Sequence, residues 1–365
     1  MKWKEQMLNL KAYQPGRTTD EVKKAYGLKE VVKLASNENP FGSSEKVREC
    51  IRSYADSFAI YPDGYTGSLR TVLAEFLNLD EKQLIFGNGS DEIILMISRA
   101  MLEPGKNTVM ATPTFPQYRH NAVVEGAEVR EVELVDGAHD LDKMADVIDE
   151  NTAIVWLCSP NNPTGIHITD SQLRSFLDRV PEDVFVVLDE AYYEYVTADD
   201  YYDALEIVKQ YKNVIVLRTF SKIYGLAAFR VGYGFADESL IAQLDPVREP
   251  FNVNSLGQKA AAAAINDQSF IEMCRTENKA GLEQFYAFCR EENLNYYPSE
   301  ANFILIDFKC DSNELFEYLM SKGYIVRSGA ALGFPGTVRV TVGSKEQNEG
   351  VMKAMKSFLT ETVKR

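Results

Sequence analysis

Short apolar runs alternate with helix-like segments through the middle of the chain. Each run has the length of a strand and few polar interruptions, which is typical of strands buried in a sheet. The runs are LIFG (84–87), NTVMA (107–111), AEVREVEL (127–134), TAIVWLC (152–158), VFVVLD (184–189), NVIVLR (213–218) and RVGYGFA (230–236). This alternation predicts an α/β fold in which a mostly parallel, seven-stranded sheet carries helices on both faces. In such a sheet, ligands bind at the carboxyl ends of the strands.

The pattern changes after the last of these runs. Residues 254–293 read as a long helical stretch, and the final part of the chain mixes helical segments with the strand-like runs ANFILIDF, VRSG and TVRVTVG. We therefore expect a smaller α+β domain at the C-terminus. The predicted organisation is an N-terminal arm (1–30), a large domain (31–260) and a small domain (261–365).

The amino-acid composition and net charge limit the kinds of partner that the protein is expected to bind. Of the 365 residues, 45% are hydrophobic, which is enough for a sizeable core, and the net charge of −15 disfavours nucleic acid and anionic membranes as partners. The five cysteines form no C-x-x-C pair and the three histidines lack the spacing of metal ligands, so we expect reduced thiols and no metal. The chain has no apolar run long enough for a signal peptide or a membrane span, and we expect a cytoplasmic protein.

The stretch FGNGSDEIILMISRAML (86–102) has the form of a phosphate-binding turn. A strand end passes through Gly87 and Gly89 into an apolar helix that opens with Ser90, Asp91 and Glu92. Free N–H groups and the helix dipole attract an anion at such a helix start, and glycine permits close approach of the backbone. The plain alternative is a serine-capped helix after a tight turn.

Two further strands end in polar side chains. CSPNNPTG (158–165) places Asn161 and Asn162 in a turn, and VFVVLDEAYYEY (184–195) places Asp189 at the end of a buried run with Tyr192 close behind. A buried carboxylate needs a positive partner or several donors, so Asp189 either caps a helix or faces the protonated ring nitrogen of a cofactor. The asparagines either only form the turn or point into the ligand crevice.

The stretch RTFSKIYGLAAFRVGYG (218–234) follows the next strand. Lys222 stands there among residues with too much glycine for a surface helix. In a partly dry pocket near other cations its pKa would fall, and its neutral amine could form a Schiff base. Thr219, Ser221 and Arg230 would supply hydroxyl and guanidinium donors to a phosphate. A solvated surface lysine is the alternative when Lys222 is considered alone.

Taken in order, GNGSDE, SPNNPTG, LDEAY and TFSKIYGLAAFR resemble the fold-type-I aminotransferases that use pyridoxal phosphate. The resemblance covers nearly the whole chain, and four spaced motifs in this order are highly specific. YQPGR (13–17), LASNENPFG (34–42) and YPDGYTGSLR (61–70) are similar to motifs of the histidinol-phosphate branch of that family.

The resemblance implies a role for each matching residue. Lys222 would bind pyridoxal phosphate covalently, Asp189 would pair with the ring nitrogen, and Asn162 and Tyr192 would contact the phenolic oxygen. Phe115 would stack on the ring. The cofactor phosphate would be held by a larger set of residues: Gly89, Ser90, Asp91, Thr219, Ser221, Arg230 and, from a neighbouring subunit, Tyr61.

The resemblance also implies a substrate site and a homodimer with shared active sites. Arg339 would bind the substrate carboxylate, and Arg327 and Tyr13, with Asn162, would complete the substrate site on the side of the substrate phosphate. Three departures bear mainly on substrate detail: Phe115 replaces a frequent tyrosine, Ile223 fills a position that is small in the wider class, and Ala228–Phe229 replace a common Gly-Leu. The stretch 328–336 matches nothing we can assign.

The expected function is transamination between histidinol phosphate or imidazole acetol phosphate and glutamate or 2-oxoglutarate. The alternatives are an aromatic aminotransferase of broader specificity and a pyridoxal-phosphate-dependent decarboxylase of a phosphorylated amino acid. A cofactor-binding transcriptional sensor would need a DNA-binding extension, and the chain has no basic helix-turn-helix-like segment. A dinucleotide-binding dehydrogenase is disfavoured because no G-x-G-x-x-G follows the first strand.

Overall fold

The computed structural model describes residues 2–8, 10–11, 16–54 and 58–362. In these residues the strands are β1 (Val32–Lys33), β2 (Leu84–Gly87), β3 (Asn107–Thr112), β4 (Glu128–Glu133), β5 (Thr152–Cys158), β6 (Phe185–Asp189), β7 (Val214–Thr219), β8 (Gly232–Ala236), β9 (Asn295–Tyr297), β10 (Phe303–Asp307), β11 (Tyr324–Ile325), β12 (Arg327–Ser328) and β13 (Thr337–Thr341). The helices are α1 (Thr19–Tyr26), α2 (Glu45–Arg52), α3 (Gly67–Leu77), α4 (Ser90–Met101), α5 (Gln117–Glu125), α6 (Leu141–Asp146), α7 (Asp170–Leu177), α8 (Ala204–Gln210), α9 (Glu238–Leu244), α10 (Ser255–Ile265), α11 (Gln268–Glu291), α12 (Ser312–Ser321) and α13 (Lys345–Thr362).

The large sheet has seven strands in the order β2-β8-β7-β6-β5-β3-β4. Pairing is parallel from β7 through β6, β5 and β3 to β4, whereas β8 runs antiparallel to both of its neighbours. Each strand corresponds to one of the apolar runs of the sequence. The prediction of a mostly parallel α/β sheet is therefore confirmed.

The central strands are buried on both faces, which is why they read as continuous apolar runs. Along β5, Val155 and Leu157 belong to one core cluster, whereas Ile154 and Trp156 belong to the cluster on the opposite face. This alternation follows from the two-residue period of a strand. Helices cover both faces, so the carboxyl ends of β5, β6 and β7 form an edge at which polar side chains emerge.

The small sheet is antiparallel, in the order β12-β13-β10-β9, and the C-terminal helix α13 contacts both α11 and α12 beside it. The predicted helical stretch 254–293 is confirmed as two helices, α10 and α11. The predicted runs near 301–308, 326–329 and 337–343 contain β10, β12 and β13. The N-terminal strand β1 pairs with β11, a two-residue contact that the sequence pattern did not predict. In the described part of the chain, no helix has the length and apolar character required to cross a membrane.

Candidate active site

Polar side chains from separate strand ends meet at one edge of the large sheet. Asn162 follows β5, Asp189 ends β6, and Lys222 follows β7. Arg339 on β13 of the small sheet reaches the same place, since its Nη1 donates a hydrogen bond to Oδ1 of Asn162 at 2.6 Å. The site therefore lies between the large and small sheets, at the edge that the strand pattern predicts.

The start of helix α4 forms an anion seat. Gly89 has φ 72°, and no side chain caps the helix, so the N–H groups of its first turn face outward. The guanidinium of Arg230 lies beside Gly89, because a Cβ built at that glycine would be 2.6 Å from Arg230 Nη2. Arg230 Nη1 also donates to Ser221 Oγ at 3.2 Å. A helix N-terminus, a hydroxyl and a guanidinium thus converge on one small space.

Two residues predicted for this seat have side chains engaged elsewhere. The Asp91 carboxylate accepts a hydrogen bond from Arg230 Nη2 at 3.3 Å, and burial raises its pKa although Arg230 opposes the shift. The Thr219 hydroxyl donates to the Val231 carbonyl at 3.3 Å and accepts the N–H of Ser221 at 3.1 Å. Asp91 can therefore offer an anion its backbone N–H, and Thr219 shapes the turn that presents Ser221.

Asp189 is a buried carboxylate whose contacts are both neutral donors. The Tyr118 hydroxyl donates to Oδ2 at 2.6 Å and the Ala191 N–H donates to Oδ1 at 3.1 Å. Only 3% of Asp189 is exposed, and burial raises its pKa to about 6 although the Tyr118 hydrogen bond lowers it. Such a carboxylate is well suited to a ligand that brings its own buried N–H⁺ group.

Tyr118 is a contributor that the sequence analysis missed. It lies on α5, stacks on Trp156 with ring centroids 4.9 Å apart, and is fully buried. Phe115 meets it edge-on at 5.6 Å. A tyrosine three residues after the predicted stacking aromatic was the available signal, because a buried phenol needs a hydrogen-bond partner.

Lys222 has the properties of a reactive amine. Its Nζ donates to the Ser36 carbonyl at 3.3 Å and lies 5.6 Å from the centroid of the Tyr192 ring. Although the residue is partly exposed, protein atoms crowd the ammonium, and burial together with the nearby Arg339 charge lowers its pKa to about 8. A substantial fraction is then neutral near physiological pH, as a nucleophilic amine requires.

Tyr192, Asn162 and Arg339 form a chain of hydrogen bonds across the site. Asn162 Nδ2 donates to the Tyr192 hydroxyl at 3.4 Å, while Asn162 Oδ1 accepts from Arg339. Arg339 is only 6% exposed, and its Nη2 donates to the Ala35 carbonyl at 2.7 Å. Burial raises the pKa of Tyr192, so the phenol stays protonated at neutral pH.

Arg327 lies directly opposite Arg339 in the β12–β13 pair, so both side chains are on one face of the small sheet. Two like charges in this position are unfavourable unless an anion lies between them or close by. Gly16 of the N-terminal segment is adjacent, since a Cβ built there would be 3.4 Å from Arg327 Nη1. Tyr13, which was predicted to join Arg327, lies outside the described residues.

The stretch 328–336, which the sequence left unassigned, closes one side of this region. It forms a 3-10 turn at Gly329–Leu332 and then approaches the large domain, where a Cβ built at Gly333 would be 2.7 Å from Pro113 Cγ. Tyr61 stands apart from these groups. It is 78% exposed and stacks on Phe251 at 4.7 Å.

The arrangement fits a ligand with a phosphate, an aldehyde and a basic ring nitrogen. The phosphate matches the start of α4 with Ser221 and Arg230, and the aldehyde matches the amine of Lys222. A protonated ring nitrogen would give Asp189 the positive partner that its present contacts lack. No cluster of metal-ligating side chains occurs among the residues that the structure describes.

Comparison with known proteins gives a consistent result. Residues 29–355 match the family model described as aminotransferase class I and II. The histidinol-phosphate aminotransferase of Geobacillus sp. (strain WCH70) is 58% identical over 361 residues, 99% of each chain, and that of Bacillus subtilis (strain 168) is 58% identical over 360 residues, 98% of this chain and 100% of the relative. The solved histidinol-phosphate aminotransferase from Sinorhizobium meliloti, in complex with pyridoxal-5'-phosphate, superposes with a TM-score of 0.88 at 25% identity and covers 98% of both chains.

Proposed function

The chain belongs to the family of class I and II aminotransferases, and on this premise we propose that it transfers an amino group from glutamate to imidazole acetol phosphate. The products are histidinol phosphate and 2-oxoglutarate, and the reaction is a step of histidine biosynthesis. Support comes from the 58% identity to relatives named histidinol-phosphate aminotransferase over nearly the full chain. The observation in the structure that carries the proposal is the pairing of Arg327 with Arg339, whose charge acts on Lys222, because the two amino donors share only the reacting amine and their anionic groups.

Pyridoxal phosphate is the cofactor of the family, and the site has a partner for each of its groups. In the proposed complex Lys222 would bind the aldehyde carbon, Asp189 would pair with the ring nitrogen, and Phe115 would stack on the ring. Asn162 and Tyr192 would donate to the phenolic oxygen. The N–H groups of Gly89, Ser90 and Asp91 would hold the phosphate, with the Ser221 hydroxyl and the Arg230 guanidinium as further donors. When bound, this cofactor stores the electron pair of the broken substrate bond and carries the amino group between the two substrates.

Lys222 moves the proton in each half-reaction. In the presence of substrate, the neutral amine of Lys222 would take the proton from the substrate carbon and, as an ammonium, would later return a proton. Its pKa of about 8 suits both tasks near neutral pH, since neither form is strongly disfavoured. Asp189 remains ionised beside the ring nitrogen and so stabilises positive charge there.

Arg339 and Arg327 bind the anionic ends of the substrates. Glutamate has two carboxylates and no phosphate, whereas histidinol phosphate has a phosphate and no carboxylate, so the site must accept both geometries. A guanidinium forms paired hydrogen bonds with either group. We assign Arg339 to anions of both substrates and Arg327, with Tyr13, to the substrate phosphate.

The function is tested by following the absorbance of the bound cofactor after addition of one amino donor at a time. We expect histidinol phosphate to convert the cofactor at far lower concentration than phenylalanine, and glutamate to convert it as well. Preference for phenylalanine would replace the assignment by an aromatic aminotransferase. Release of carbon dioxide from a phosphorylated amino acid would replace it by a decarboxylase.

Replacing Arg327 with glutamine should separate the two substrates. The KM for histidinol phosphate is expected to rise about 10- to 100-fold, the range for loss of hydrogen bonds to a charged group, while the KM for glutamate changes little. Steady-state kinetics with each donor measure both values, and Arg290→Gln on the exposed surface of α11 is the matched control. Equal effects on both donors would remove Arg327 from the phosphate site.

Replacing Tyr118 with phenylalanine should change the pH dependence of cofactor binding. The Tyr118 hydrogen bond favours the ionised form of Asp189, so its loss raises the pKa of Asp189 above the present value of about 6. Binding of pyridoxal phosphate to the apo-protein requires the ionised carboxylate, so its affinity falls as the pH drops through the pKa of Asp189. In the variant, the midpoint of this fall should lie about 0.5 to 1 pH unit higher than in the wild type. Tyr211→Phe is the matched control, because Tyr211 also donates to an aspartate, Asp178, but on the surface. An unshifted midpoint would contradict the role of Tyr118.

We propose that the protein is a homodimer in which each site includes the partner subunit's Tyr61. Large apolar side chains are exposed together in two neighbouring segments: Phe58, Ile60, Tyr61, Tyr65 and Phe251. A second copy would cover this patch. Sedimentation analysis should give twice the mass of the chain, and Ile60→Asp should lower it, whereas Val135→Asp at another exposed position should not. A wild-type protein that sediments as a monomer would contradict the proposal.

We also propose that the reaction takes place in the cytoplasm. The supporting observations are the biosynthetic activity named for the relatives and the five cysteines, which are all free thiols in the structure. Reduced thiols are usual in that compartment.

A further inference from the structure

The side chain of Asn37 lies between the Tyr192 phenol and strand β13. It is 1% exposed, its Nδ2 donates to the Tyr192 hydroxyl at 2.9 Å, and its Oδ1 accepts from the Thr341 hydroxyl at 3.0 Å. The backbone is held as well. The N–H of Asn37 donates to Thr341 Oγ1 at 2.9 Å and its carbonyl accepts from Asn302 Nδ2 at 2.9 Å. Asn37 is therefore fixed at both its amide side chain and its backbone.

The direction of the Asn37 amide follows from this network. The Thr341 oxygen accepts the Asn37 N–H, so its single proton is available for the Asn37 side chain. In this arrangement the Thr341 hydroxyl donates to the amide oxygen of Asn37, and the amide nitrogen faces Tyr192. Asn37 is thus a donor to the phenol.

Tyr192 consequently accepts two N–H groups, from Asn37 at 2.9 Å and from Asn162 at 3.4 Å. With both lone pairs of the phenol oxygen occupied, the remaining polar function is its own O–H, which must point away from the two amides. Both amides are linked to β13, Asn162 through Arg339 and Asn37 through Thr341. The phenol is therefore held from two sides by the strand that carries a substrate-binding arginine.

We propose that Asn37 is a positioning residue that aims the Tyr192 O–H at the phenolic oxygen of the bound cofactor and couples this hydrogen bond to strand β13. The inference rests on the proposed function, since it concerns the same site. It adds a residue outside the pyridoxal phosphate contacts described above. Asn37 acts on the cofactor only through Tyr192.

The backbone at Asn37 permits a clean test. Its φ of 57° lies in the left-handed region, which glycine adopts without strain and which is unfavourable for most other residues. Asn37→Gly therefore removes the amide and keeps the backbone conformation. Asn78→Gly is the matched control, because Asn78 also has a left-handed φ of 53° but is exposed at the end of α3.

The measured quantity is the pKa of the bound cofactor, read from its absorption spectrum as a function of pH. A hydrogen bond from Tyr192 favours the ionised phenolic oxygen, so misdirecting it should raise this pKa by about 0.5 to 1 unit, the net effect of one hydrogen bond. The titratable and charged groups around Tyr192 are unchanged in this variant: Arg339, Lys222, Asp189 and Cys158. In the Tyr192→Phe background, Asn37→Gly should produce no further shift, because the hydroxyl on which it acts is absent.

The outcomes separate this inference from the proposed function. The role of Asn37 would be overturned if Asn37→Gly and Asn78→Gly gave the same cofactor pKa. It would also be overturned if Asn37→Gly shifted this pKa by the same amount with and without the Tyr192 hydroxyl. A wild-type protein that shows no cofactor absorption would instead overturn the proposed function. If Asn37→Gly does not fold, Thr341→Val serves the same purpose, since it frees the amide to rotate and is expected to raise the pKa in the same direction. No shift in that variant would count against the proposal.

Discussion

Lys222→Ala is expected to lower the rate of transamination by at least about 10⁴-fold, because both the covalent link to the cofactor and the proton transfer depend on this amine. Among the described residues the cations whose charges act on Lys222 are Arg339 and Arg230, and a guanidinium cannot replace a neutral amine. The rate is measured as conversion of the bound cofactor by histidinol phosphate in a single turnover.

The control for this variant is Lys212→Ala. Lys212 is 68% exposed and pairs with Asp237 on the surface, so its loss should leave the rate unchanged. If Lys222→Ala retains full activity, the mechanism proposed for this site is wrong.

Asp189→Asn is expected to lower the rate by about 10²- to 10³-fold, the range for removal of one preorganised electrostatic contact in a buried site. Asparagine keeps the shape of the side chain and loses the charge that stabilises the protonated ring nitrogen. Single-turnover rates and the affinity for pyridoxal phosphate should both fall. Asp199→Asn on the exposed surface is the matched control.

The stability of the Asp189→Asn apo-protein distinguishes a chemical role from a structural one. The pKa of Asp189 in the folded protein, about 6, is above its ordinary value of 3.8, so folding disfavours the ionised form. The resulting loss of stability is absent below about pH 4, grows between pH 4 and 6, and is complete above pH 6. Without cofactor, Asp189→Asn should therefore melt no lower than the wild type above pH 7. A lower melting temperature there would indicate that the carboxylate mainly supports the fold.

The strands of the large sheet were predictable because strands that are buried on both faces have continuous apolar sequences. The runs 84–87 and 152–158 coincide with β2 and β5 at both ends. The break between α10 and α11 and the two-residue pairing of β1 with β11 were not predictable. Such features depend on contacts with distant parts of the chain rather than on local periodicity.

The site residues that lie directly at or after the end of a strand were predictable. Asn162, Asp189 and Lys222 each occupy that position, and the doubly wound sheet brings them to one edge. The contacts of Tyr118 with Asp189 and of Asn37 with Tyr192 were not predictable, because they span 71 and 155 residues of sequence. Sequence periodicity does not indicate contacts between residues that are so far apart in the chain.

Residue type alone also gave an incomplete account of the phosphate seat and of Ile223. Thr219 and Asp91 have the right chemistry for phosphate binding, but their side chains contact the Val231 carbonyl and Arg230 in the structure. Ile223, which differs from the small residue of the wider class, is fully buried in the core of the large domain.

The most direct test of the account is the chemical identification of the lysine that binds pyridoxal phosphate. The wild-type protein is loaded with the cofactor, reduced with borohydride, digested and analysed by mass spectrometry. We predict that the cofactor is attached to Lys222, in the peptide that follows β7. Attachment to a different lysine, or no attachment in a protein that catalyses transamination, would contradict the central claim.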